Sequence, residues 1–133
     1  LHAASRRGFA DIVRRLIAAG APVEVTTKRN ETPLYVASLA GHADVAACLL
    51  ENGASVDSAF MPLRHESRTP TALVAACIRG HVDVVRVLLR HGACVHARDT
   101  DGVRLLELQT SRHRHLVARM LLDRGARWDG EHP

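Results

Sequence analysis

The sequence predicts an all-α solenoid: helix–turn–helix units stacked side by side, with projecting β-hairpin-like loops, forming one domain over residues 1–133. Three observations predict it. One segment recurs along the chain, every copy keeps a glycine after its second helix while copies two and three also keep a threonine before their first, and the residues between those marks have helical apolar spacing. LHAASRRGFADIVRRLIAAGAPVEV from Leu1 aligns with LYVASLAGHADVAACLLENGASVDS from Leu34, a step of 33 from position 1 to 34. Ala4 meets Ala37, Gly8 meets Gly41, Asp11 meets Asp44, and Gly20-Ala21 meets Gly53-Ala54. A third copy, LVAACIRGHVDVVRVLLRHGACVHA, starts at Leu73, and a fourth, LELQTSRHRHLVARMLLDRGARWD, starts at Leu106. From position 34 to 73 the step is 39 rather than 33, so six residues are extra, and they fall within SAFMPLRHESRTP, Ser58 to Pro70. The repeats span about 1–25, 26–58, 59–97 with the insertion, and 98–129.

Copy two shows how each element arises. Thr32-Pro33 opens a short helix: the threonine oxygen can accept from an unpaired N–H of the first turn, and proline suits the first helical position because its missing donor is not needed there. That helix ends near Gly41. A second runs from about Ala43 to Asn52, with Asp44 near its positive N-terminal end and Val45, Cys48 and Leu49 on one apolar stripe. Gly53 supplies the left-handed residue that stops it, and the following residues are extended and turn-like up to the next threonine. One such unit cannot bury its apolar faces alone, so neighbours must stack.

Composition agrees. At 47% hydrophobic and 24% charged the chain is ordinary globular material, and it has neither an apolar run of membrane-spanning length nor a signal-peptide core at its N-terminus. Cys48, Cys77 and Cys94 follow no zinc or redox spacing, which points to a reducing compartment, the cytosol and/or nucleus. The net charge is +4, and Lys28 is the one lysine among 18 basic residues, a balance that favours planar arginine contacts to carboxylate or phosphate or reflects codon usage.

ETPLYVASLAGHADVAACLLENGASVD resembles the ankyrin repeat, with its Thr-Pro-Leu-His, paired small residues, Gly-His, apolar helix and Gly-Ala. The resemblance covers almost the whole chain. Tyr35, Val74 and Glu107 stand in place of the family's usual histidine, Ala72 in place of its proline, and Asn30 where a loop glycine is common. Copy four departs most, with Arg104-Leu105 for Thr-Pro and His113-Arg114 for Gly-His; it reads as a degenerate internal repeat or a polar cap. Copy one lacks its own loop and Thr-Pro while keeping an apolar, core-like pattern, so further repeats are expected ahead of it in a longer parent chain, of which this is a monomeric fragment.

The resemblance implies a non-catalytic module that binds a partner protein or peptide on the concave side, formed by loop tips and first helices. Carried over position by position, the first-helix sites are Arg6 and Arg7, Leu39 and Ala40, Ile78 and Arg79, and Ser111 and Arg112. The loop sites are Lys28, Arg29 and Glu31, then Ser67, Arg68 and Pro70, then Thr100, Asp101 and Val103. Basic residues outnumber acidic ones in this set. It reads either as an evenly solvated surface or, more sharply, as a groove for an acidic, phosphorylated or C-terminal-carboxylate segment. Phe60, Met61 and Arg64 of the insertion adjoin it, and the insertion is either neutral or a further contact. Two function classes fit: a plain interaction module of a scaffold or signalling protein, or a substrate-recruiting domain of a ubiquitin ligase adaptor of the SOCS-box type.

Nucleic acid is a poor match for this basic face, because Phe9, Tyr35, Phe60 and Trp128 are the only aromatics and make no stacking platform. No catalytic, cofactor or metal site is expected. His42 and His81 read as framework residues, His113 and His115 point to different helix faces, Cys94 and His96 lack a second pair, and Cys48 and Cys77 read as small core residues. Deleting Met61 to Glu66 restores the period, so thermal unfolding followed by circular dichroism should keep the same helicity and a single cooperative transition.

Overall fold

A computed structural model describes residues 1–28, 31–56, 71–94 and 115–125, with only the backbone at 115. The described residues form seven helices and no strand. Copy one contributes α1 (His2–Arg7) and α2 (Ala10–Ala18), copy two α3 (Pro33–Ala40) and α4 (Ala43–Glu51), copy three α5 (Ala72–Arg79) and α6 (Val82–Arg90), and copy four α7 (His115–Asp123). First helices stack on first helices, α1 on α3 on α5, and second helices on second helices, α2 on α4 on α6 on α7. Within a unit the two helices pack against each other. The insertion, residues 95–114 between α6 and α7, and with them the first helix expected for copy four lie outside the described residues.

The helix ends follow from the marks that predict them. The Thr32 hydroxyl accepts from Tyr35 N at 3.1 Å with Pro33 in the first turn, and the Thr71 hydroxyl accepts from Val74 N at 3.4 Å where alanine has replaced proline. Between first and second helices stand the left-handed glycines Gly8, Gly41 and Gly80. At two of these the glycine has a second purpose. A Cβ added to Gly8 would lie 2.5 Å from Nδ1 of His42, and one added to Gly41 would lie 2.8 Å from the ring of His81. Each imidazole rests against the preceding unit's glycine, and its Nε2 donates onward: His42 to the Arg6 carbonyl at 2.9 Å, His81 to the Leu39 carbonyl at 3.1 Å. Because a carbonyl only accepts, Nε2 must carry the proton. The expectation that these histidines are framework residues is met.

The core is a series of equivalent positions. Leu34 and Leu73 are buried in the first helices, and Val45, Val84 and Val117, with Leu49, Leu88 and Leu121, are fully buried in the second. Cys48 and Cys77 are buried among them, as small core residues. Burial pushes the Cys48 thiol above its ordinary range, which keeps it protonated. Three further bonds tie neighbouring units: Glu24 accepts from Ser55 N at 2.7 Å, Arg124 donates to the Leu89 carbonyl at 2.8 Å, and His2 Nε2 donates to the Glu31 carbonyl at 2.9 Å. The hydroxyls of Ser5 and Ser38, equivalent positions one repeat apart, are buried with no hydrogen-bond partner.

Two outcomes test this packing by equilibrium denaturation. Gly41→Ala and Gly53→Ala both place a side chain at positive φ, 88° and 95°, but only the first meets a ring. Left-handed strain alone should destabilise Gly53→Ala by roughly 1 to 2 kcal/mol, and Gly41→Ala should lose clearly more than that. Ser38→Ala removes a hydroxyl buried without a partner and should raise stability by about 1 kcal/mol.

Candidate partner-binding surface

The loop that leaves α2 turns back on itself through two contacts, Thr27 N to the Glu31 carbonyl at 3.1 Å and Glu31 N to the Thr27 hydroxyl at 3.2 Å. With His2 donating to the same carbonyl, Glu31 is fixed beside the first-helix row. Its carboxylate lies 3.9 Å from the Arg6 guanidinium, whose side chain is 64% exposed. At that distance and exposure the pair contributes about 0 to 1 kcal/mol, so a competing anion can displace it at little cost.

Arg6, Glu31, Val36, Leu39, Ala40 and Arg79 line a shallow hollow of about 250 Å³. Arg6 and Leu39 occupy equivalent positions in successive copies, as do Ala40 and Arg79, so the hollow is cut across three stacked first helices. Val36 and Leu39 lie one turn apart on α3 and supply the apolar floor. Arg6 and Arg79 stand at the rim as exposed guanidinium groups, and Glu31 is the one acidic residue lining it. Tyr35 lies close by, half-buried: burial, then the Glu31 carboxylate, raise its pKa above 10.0, and the Arg79 charge lowers it in part. Both charges therefore act on the Tyr35 hydroxyl.

Of the positions expected from the sequence, the structure brings Arg6, Glu31, Leu39 and Arg79 together around one hollow. Arg7, Lys28 and Ile78 are exposed but do not line it. Arg29, Phe60, Met61, Arg64, Arg68, Asp101, Val103 and Arg112 lie outside the described residues. Val36 was not among the expected positions; its place three residues before Leu39 on a short helix is the signal for it. Among the described residues no group of three histidine, cysteine or acidic side chains converges as a metal site would require, and no helix is long and apolar enough to cross a membrane.

Comparison with known proteins gives the same architecture. A family model described as "Ankyrin repeats (3 copies)" matches residues 1–60, and one described as "Ankyrin repeat" matches residues 71–100. Among curated proteins, the chain is similar to the FYVE zinc finger domain protein UPA1 of Mycosarcoma maydis, 48% identical over 54 residues, which is 40% of this chain and 4% of that protein.

The single tyrosine of the chain makes the electrostatics of the hollow measurable. Titration of phenolate absorbance should place Tyr35 above 10.0; Arg79→Glu should raise it further, and Glu31→Gln should lower it. Since the folded value is raised, the contribution of Tyr35 to stability is complete below the unfolded value near 10 and is lost as pH rises through the folded one.

Proposed function

The chain belongs to the ankyrin-repeat family, whose members serve generally as protein–protein interaction modules, and from that premise we propose that it binds an acidic or phosphorylated segment of a partner protein in the hollow between α1, α3 and α5. One observation carries the reading. Two exposed guanidinium groups, Arg6 and Arg79, flank an apolar floor of Val36 and Leu39, and the only counter-charge lining the hollow is a carboxylate held at 3.9 Å. A partner carboxylate or phosphate would pair with Arg79 and compete with Glu31 for Arg6, while an aliphatic side chain covered the floor. Arginine suits this because its planar fork can grip two oxygens at once. Arg29, Arg68, Phe60, Met61 and Arg64, expected from the sequence, remain further candidate contacts in this proposal. The buried, core-like Cys48 and Cys77 fit a reducing compartment, the cytosol or nucleus.

The test is a panel of immobilised peptides of equal apolar content and graded net charge, probed with the purified chain. Acidic and phosphorylated members should bind best, and binding should weaken with added salt. Arg6→Glu with Arg79→Glu should weaken it by roughly tenfold to a hundredfold, matching a combined loss of about 1.5 to 3 kcal/mol over the two partly exposed contacts, with unchanged helicity and melting. Charge-independent binding, or equal binding by the double variant, refutes the proposal.

A further inference from the structure

The first helices divide the concave face into one step per unit, and the hollow crosses three of them. Arg6, Leu39 and Ile78 are equivalent positions of copies one, two and three, and Arg7, Ala40 and Arg79 are the positions beside them. Copy one therefore offers a basic pair, copy two an apolar pair and copy three an apolar residue beside a basic one. The hollow opens over copy two, where the small Ala40 stands in its row with arginine on both sides. Packed helices lie about 8 to 10 Å apart axis to axis, so α1 and α5, with α3 between them, carry Arg6 and Arg79 on backbones roughly 16 to 20 Å apart. That span calls for two anionic groups rather than one. A peptide has one regular form that keeps pace with it. Polyproline II advances about 3.1 Å per residue with three residues per turn, so every third side chain returns to the same side about 9.3 Å further on. A β-strand returns every second residue, at about 6.6 Å, and is out of step with the helices after one unit.

We infer that the hollow takes a partner segment in polyproline II form, laid across α1, α3 and α5, with acidic side chains at its first and seventh positions and an aliphatic one at the fourth. The inference rests on the reading of the hollow as a site for an acidic segment and adds the spacing of that segment. The outer acids meet Arg6 and Arg79, and the fourth side chain covers Leu39 and Ala40, which share one face of α3 with Val36. The acid at Arg6 takes the place of the Glu31 carboxylate, which lies 3.9 Å from that guanidinium. Positive charge at both ends and an apolar middle thus match a segment charged at both ends and apolar between.

Two peptides of identical composition, capped at both ends, test the spacing by titration of the amide resonances of the 133-residue chain. Glu-Pro-Ala-Leu-Pro-Ala-Glu has the inferred pattern, and its prolines favour the polyproline II form; Pro-Ala-Glu-Leu-Glu-Pro-Ala draws the two acids together. The first should bind at least about fivefold more tightly than the second. Arg6→Gln and Arg79→Gln should each weaken the first by about threefold to tenfold. Replacing one of its glutamates by glutamine should abolish the effect of one arginine variant and leave that of the other, because each acid meets its own arginine. Equal or tighter binding of the second peptide, with the arginine variants still weakening it, overturns the spacing and leaves the acidic-segment reading standing. A one-glutamate peptide that depends on both arginines overturns the spacing likewise, since one anion then reaches both. Peptides indifferent to both arginines, or no binding by either peptide, overturn that reading together with the inference.

Discussion

The contact on which this stack depends is an imidazole lying on a glycine. His42 covers Gly8 and His81 covers Gly41, so close that any side chain at either glycine would have to displace a ring. The same rings reach the carbonyls of Arg6 and Leu39, near the ends of the preceding first helices. A single residue therefore joins three requirements: the glycine must adopt positive φ to end the first helix, it must have no side chain so that the next unit can approach, and its neighbour's free carbonyl must find a donor. Apolar burial drives the units together without direction, and the histidine sets how far each is advanced on the last.

The same contact determines the shape of the binding surface. Arg6 and Leu39 are held at their backbones by the next unit's histidine and turn their side chains to the hollow. A slip between units would move Arg6 relative to Arg79, which lies two units away, and change the spacing of the two positive groups. The framework and the recognition surface are thus built from the same residues, backbone for one and side chain for the other. Glu31 is similarly divided: its main chain is pinned by Thr27 and His2, while its carboxylate sits at a weak pairing distance and remains open to exchange.

Much of this was legible in the sequence because a repeat states each requirement several times. The step from Leu1 to Leu34 to Leu73 located the helices, Thr32 and Thr71 their starts, and Gly8, Gly41 and Gly80 the ends of the first helices. Cys48 and Cys77 were assigned to the core from apolar spacing alone and are buried there. The site was less legible. Arg6, Leu39 and Arg79 followed from their places in the family pattern, but Val36 reads as a core residue until the packing of three first helices leaves a hollow beside it. The orphaned hydroxyls of Ser5 and Ser38 were not foreseeable either, since serine in a helix finds a partner or fails to according to the neighbouring unit.

Charge, apolar floor and register meet in one place, so the most direct measurement is to map where an acidic peptide touches the chain. Backbone amide resonances followed during titration with a phosphorylated peptide should shift at Glu31, Val36, Leu39, Ala40 and Arg79 and at the end of α1 near Arg6. Shifts confined instead to the second-helix row, around Asp11, Asp44 and Asp83, would contradict the account.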